Sequence, residues 1–79
     1  MLLHIYSLRK PVFQKEVISV NLKTSNGEIT ILDNHRPLIT PLEKGVIRIT
    51  DLKGSEELFE ATQGFVEVRP KGEVSILIG

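Results

Sequence analysis

The sequence has no cysteine and no tryptophan, a single tyrosine and three phenylalanines, and no surplus of charge of either sign. Without cysteine there is no disulfide and no thiolate metal ligand, so packing alone must hold the fold. Ten Lys plus Arg balance ten Asp plus Glu, which leaves no general electrostatic attraction for nucleic acid or an anionic bilayer. Long apolar runs are also missing. Leu2, Leu3 and Ile5 are interrupted by His4, Tyr6 and the Arg9-Lys10 pair, far short of the ~20 apolar residues that span a bilayer. A role at a membrane would therefore require another protein to hold the chain there. With 79 residues there is room for one domain that buries about 60% of its unfolded surface, and none for separate cofactor and substrate domains.

Branched apolar residues at a spacing of two are plentiful, and that spacing is the period of a strand. Leu3 and Ile5 alternate with His4 and Tyr6; Ile18, Val20 and Leu22 with Ser19, Asn21 and Lys23; Ile29 and Ile31 flank Thr30. The later chain repeats this with Ile47 and Ile49, Val66 and Val68, and Val74, Ile76 and Ile78. Each set predicts a strand packed on a core from one side, its other face mostly polar.

Turn formers separate these runs: Arg9-Lys10-Pro11, Ser25-Asn26-Gly27, Asp33-Asn34, Lys44-Gly45, Lys53-Gly54-Ser55, Gln63-Gly64 and Pro70-Lys71-Gly72. Asn-Gly and Lys-Gly supply the positive backbone angles of tight hairpins. Seven or more strands at intervals of about 8 to 12 residues predict an all-β sandwich or small barrel. Gly54 to Ala61 has glutamates that favour helix, but the window between two glycines is too short to sustain one and is read as a strand. From Asp33 to Pro41, two prolines four apart predict an extended loop crossing between sheets, since neither can donate to a ladder. Unusual polar residues gather there, which makes it the first place to look for function.

Enzymatic chemistry finds little support. His4 and His35 are the only histidines, and neither belongs to a spaced metal-ligand set. None of the serines sits in a nucleophile elbow, and no phosphate-binding glycine loop is present. Oligonucleotide-binding barrels share the size and class, but they read bases with stacked aromatics along a basic groove. Here most of the four aromatics, Tyr6, Phe13, Phe59 and Phe65, are expected inside, and the cations are scattered among acids.

Order and spacing carry more than the single residues. Phe13, Glu16-Val17, Gly27-Glu28, Ile31-Leu32, His35, Pro37-Leu38, Leu42, Gly45 and Arg48-Ile49 fit the patterns V-F-x-G-E-V, G-E-x-G-I-L-x-x-H-x-P-L and L-x-x-G-x-x-R-I. Gly64-Phe65-Val66-Glu67-Val68 fits G-G-F-x-E-V. In these the chain resembles the amino-terminal domain of the epsilon chain of F-type ATP synthases, from about Leu3 to Leu77. The resemblance implies a flattened β-sandwich or barrel of about ten short strands, occupying all of residues 1–79. It further implies a non-catalytic central-stalk subunit without cofactor or metal, bound to the gamma chain and the c ring at the cytoplasmic face of a membrane, where it helps couple ion flow to ATP synthesis. By the same resemblance Glu28 matches the acid facing the c ring, while Ser7, His35 and Thr40 match positions against the gamma chain. Arg36, which replaces a small residue in that segment, is expected to pair with an acid on the partner. A stand-alone β-sandwich adaptor is the competing reading, and an oligonucleotide-binding barrel the third.

The chain also departs from the family pattern. Lys15 and Thr30 replace glycines, Arg36 replaces a small residue, and Gln63 occupies the first of a glycine pair. Family members commonly continue into a C-terminal helical pair, whereas this sequence ends at Gly79; the expectation is a chain that neither binds ATP nor inhibits hydrolysis by extending.

Overall fold

Alternating apolar and polar residues resolve into eight strands in the computed structural model, which describes residues 1–9 and 13–78. They are β1 (Leu2–Ser7), β2 (Phe13–Thr24), β3 (Gly27–Ile31), β4 (Leu38–Leu42), β5 (Gly45–Asp51), β6 (Glu56–Ala61), β7 (Gly64–Arg69) and β8 (Glu73–Ile78). Lys10 and Pro11 of the expected Arg9-Lys10-Pro11 turn, and the ending at Gly79, lie outside the described residues.

Strand order is β1-β8-β7-β4-β2-β5-β6, with β3 on β2 and a further β1–β2 pairing. The 12-residue β2 organises the molecule. Its start pairs with β1 from Phe13 to Glu16, its middle with β5, and its end with β3 from Val20 to Thr24. Thr24 also pairs with Leu42 of β4. One layer is therefore β1-β8-β7-β4, and β2 carries β3, β5 and β6 as the other. Among the described residues there are eight strands rather than about ten, and β2 runs unbroken from one layer to the other.

Both layers turn branched side chains inward. Leu3, Val17, Val20, Ile31, Val66 and Ile76 are fully buried, with Leu22, Ile47, Ile49 and Val74 nearly so. At ~1.5–3 kcal/mol for each buried Val, Leu or Ile, this core is what offsets the chain's ordering entropy. Simple alternation fails at Ile18. The β2–β5 register shifts between Val17, opposite Asp51, and Ser19, opposite Thr50, so Ile18 is the extra residue of a bulge. The bulge turns Val17 and Val20 inward, three apart, and leaves Ile18 exposed.

Lys15 earns its place in a strand. Its Nζ donates to Glu57 Oε1 at 2.9 Å and to Asp51 Oδ2 at 3.4 Å, fastening β2 to the β5–β6 hairpin. The other Asp51 oxygen, Oδ1, accepts from the backbone N–H of Lys53 at 2.9 Å and Ser55 at 3.0 Å. Burial opposes ionisation of Asp51, but these two N–H groups and the Lys15 ammonium outweigh it and hold the carboxyl below its ordinary 3.8. Lys15 is pushed up, chiefly by its hydrogen bond to Glu57. β6 is a strand as expected, and Phe59 meets Phe13 edge to face at 5.2 Å.

The Asp33–Pro41 segment is only partly a loop, because residues from Leu38 onward form β4. Pro41 is tolerated there since β4 pairs with β7 along its length and touches β2 at Leu42 alone. Its missing N–H thus faces an edge, while its carbonyl accepts from Ser25 N–H at 3.2 Å.

Candidate interaction surfaces

Glu28 follows the tightest hairpin of the fold. Thr24 pairs with Gly27 across Ser25-Asn26, and Gly27 has φ 112°, a conformation that favours glycine. Thr24 Oγ1 donates to Gly27 O at 2.8 Å and accepts from Asn26 N–H at 3.1 Å, so this turn is tied to itself. Glu28 is exposed directly opposite Lys23, and its Oε2 accepts from Asn21 Nδ2 at 3.1 Å.

The four residues expected against a second partner do not converge. Ser7, half-buried at the end of β1, lies opposite Ile78, and its Oγ accepts from Arg9 N–H at 3.2 Å. His35 and exposed Arg36 precede β4 at the far end of the same layer. The row of Leu42, Gly64, Ile78 and Ser7 is four residues from that of Leu38, Val68, Val74 and Leu3, roughly 13 Å along the strands. His35 is partly structural: its N–H donates to Leu32 O at 3.1 Å, and Nδ1 donates to the Arg36 carbonyl at 2.7 Å. The α-amino group of Met1 joins this loop to β2, 3.0 Å from Asp33 Oδ1 and 3.4 Å from Glu16 Oε2. Burial lowers its pKa, yet those two carboxylates prevail and raise it above 8.0.

Thr40 is a correction. Only 4% exposed, it stands in the inner row with Val66, Ile76 and Ile5, and its Oγ1 donates to Pro41 O at 3.4 Å. Alternation from exposed Ile39 turns it inward, so its side chain offers no surface contact.

The aromatics give a second correction, because two of the four lie outside. Tyr6, Leu77, Phe65 and Pro41 form one row across β1, β8, β7 and β4, and all are exposed, Leu77 and Phe65 by about half. Ile39, 71% exposed, is in the adjacent row beside Glu67. His4 stacks parallel on Tyr6 at 5.9 Å. Leu8, Phe65, Leu77 and Pro41 also border a groove at the Ser7 end. Apolar residues gathered into one strip, rather than exposed singly, make this face the candidate interaction surface. The outer face of the other layer is mixed, with Asn21, Glu28, Thr30 and Arg48 beside exposed Val46 and Leu58. Sequence reading missed the strip because it treated the second phase of each strand as the solvent phase; the signal was there in Tyr6, Phe65 and Leu77.

Among the described residues no group of three His, Cys, Asp or Glu side chains is placed to hold a metal ion.

Comparison with known proteins places these surfaces in context. The sequence matches the family described as ATP synthase, Delta/Epsilon chain, beta-sandwich domain, over residues 1–79. It is 43% identical over 67 residues to an ATP synthase epsilon chain of Bacillus pumilus, covering 85% of this chain and 50% of that one. It is 38% identical over 63 residues to the mitochondrial ATP synthase subunit delta of Yarrowia lipolytica, covering 80% of this chain and 39% of that one. The chain thus spans about half or less of the length of these relatives. Its fold is shared with a chain of the Euglena gracilis mitochondrial ATP synthase, in a structure of OSCP, F1 and c-ring, with TM-score 0.91 and 22% identity over 99% of this chain and 49% of that one. It is shared as well with a chain of the Tetrahymena thermophila mitochondrial ATP synthase central stalk and c-ring, with TM-score 0.81 and 18% identity over 99% of this chain and 62% of that one.

Proposed function

The chain belongs to the family of ATP synthase delta/epsilon-chain β-sandwich domains, and from that premise we propose that it is a non-catalytic central-stalk subunit which works by binding. In this reading Glu28 contacts the polar loops of the c ring. The apolar strip, bordered by Ser7 at one end and by His35 and Arg36 at the other, lies against the gamma chain. The subunit is peripheral, on the cytoplasmic face of its membrane, and helps couple ion translocation to ATP synthesis.

The observation that carries this reading is the placement of the two surfaces on different layers. Glu28 lies near the start of β3 on one layer, while Tyr6, Leu77, Phe65 and Pro41 cross the other. A rigid sandwich with no chemistry of its own can hold two partners at once through such faces. Thr40 drops out of the contact set and serves the core.

Co-purification with gamma and c-ring subunits tests the proposal. The chain is expected to join them at micromolar concentration, and one that stays alone refutes the stalk role. Glu28→Lys is expected to weaken assembly with only a small fall in melting temperature, since Glu28 is exposed and the substitution sets a second cation opposite Lys23; unchanged assembly refutes the Glu28 contact.

A further inference from the structure

Thr30 stands where the resembling family pattern carries glycine, and neither the fold nor the proposed contacts require a hydroxyl there. Its register supplies a reason. Asn21 of β2 is directly opposite Thr30 of β3, and Lys23 is directly opposite Glu28, so Asn21 is the diagonal neighbour of Glu28 on the same outer face. A side-chain amide has two N–H donors, whereas a carboxylate only accepts. Asn21 Nδ2 uses both: one donates to Thr30 Oγ1 at 2.9 Å and the other to Glu28 Oε2 at 3.1 Å.

We infer that Asn21, oriented by the Thr30 hydroxyl, is a positioning residue that sets the Glu28 carboxylate for its contact. The inference rests on the proposed role of Glu28 and adds to it the machinery that aims the acid. Thr30 is stiff at χ1 because it is β-branched, so its oxygen is a fixed acceptor. Taking one amide hydrogen fixes the plane of the Asn21 side chain, and the second hydrogen then points at Glu28. A glycine at position 30 would leave the amide free to turn. Glu28 is otherwise an exposed side chain that must lose its rotamer freedom on binding, and prior ordering removes part of that loss. For one such side chain the effect is about threefold to tenfold in affinity.

The test uses the 79-residue chain with purified c-ring and gamma subunits as the probe. Asn21→Ala and Thr30→Val are each expected to weaken binding by about threefold to tenfold with an unchanged melting temperature. Asn21→Ala is expected to add nothing in a Glu28→Ala background. In the free chain, three-bond NMR couplings are expected to report one dominant Glu28 χ1 rotamer that becomes averaged in Asn21→Ala. If Glu28→Ala weakens binding while Asn21→Ala does not, or if Asn21→Ala weakens it equally without Glu28, the inference is overturned. Unchanged binding by Glu28→Ala instead overturns the contact role of Glu28. In that case the NMR couplings still decide whether Asn21 orders the side chain.

Discussion

Three glycines separate the two reasons a backbone can require glycine, namely its torsion angles and its lack of volume. A Cβ built on Gly64 would lie 1.9 Å from the Leu77 carbonyl oxygen and 2.9 Å from the Leu77 carbonyl carbon. Both are backbone atoms, which cannot rotate aside. Restoring a tolerable carbon–oxygen approach of roughly 3.3 Å means moving β7 from β8 by more than an ångström beside the Gly64–Ile78 pair. Overpacking of this kind costs about 1–3 kcal/mol. Each ladder bond lost adds ~0.5–1.5 kcal/mol, and the smaller unfolded-state entropy of alanine returns ~0.4–1 kcal/mol. Gly64→Ala should therefore destabilise by about 2–4 kcal/mol, lowering the melting temperature by about 10–30 °C in a domain of this size. Gly54 has φ +86° but nothing within 4 Å of its Cβ position, so Gly54→Ala should cost only the left-handed strain of about 1–2 kcal/mol. At Gly45 the nearest atom is Lys23 Cδ, at 3.1 Å. That flexible side chain can yield, so Gly45→Ala should be neutral or slightly stabilising. Urea unfolding followed by far-ultraviolet circular dichroism gives all three values. If Gly64→Ala costs no more than Gly54→Ala, the contact argument is wrong.

Asp51 has a lowered pKa, so its contribution is present above its unfolded value and lost as the pH falls through the folded one. Wild-type stability should drop in acid, and the gap to Asp51→Asn, measured by urea unfolding, should close well below pH 3.8. A gap independent of pH would refute the ionic role of Asp51. Leu22, 1% exposed, should lose about 2–5 kcal/mol on replacement by alanine. That is a large share of the ~4–12 kcal/mol expected for a chain of this length, and calorimetry should show an early or absent transition. A loss below about 1 kcal/mol would place Leu22 outside the tightly packed core.

Most strands were legible because each buries one face, which imposes a period of two on β1, β5, β7 and β8. The bulge at Ile18 was not, since an inserted residue leaves composition unchanged and only reverses which phase points inward. Pro41 looked disqualifying because the edge position of β4 depends on its distant partner, β7. Glu28 and its turn were readable locally, as Asn26-Gly27 names the hairpin and places the acid beside it. Thr40 was misplaced for the opposite reason: its side chain follows the alternation of a strand that the two prolines concealed. The apolar strip needed the register of four strands before Tyr6, Leu77, Phe65 and Pro41 could be seen as neighbours.

β1 and β8 lie side by side and parallel, paired from Leu2 with Glu73 to Ser7 with Ile78. Tension that draws Met1 and Ile78 apart therefore acts along this ladder and not across it. Its evenly spaced, slanted hydrogen bonds are loaded together in shear, whereas a hairpin pulled at its open end gives way one bond at a time. β1 and β8 thus form a mechanical clasp that resists extension of the chain between Met1 and Ile78.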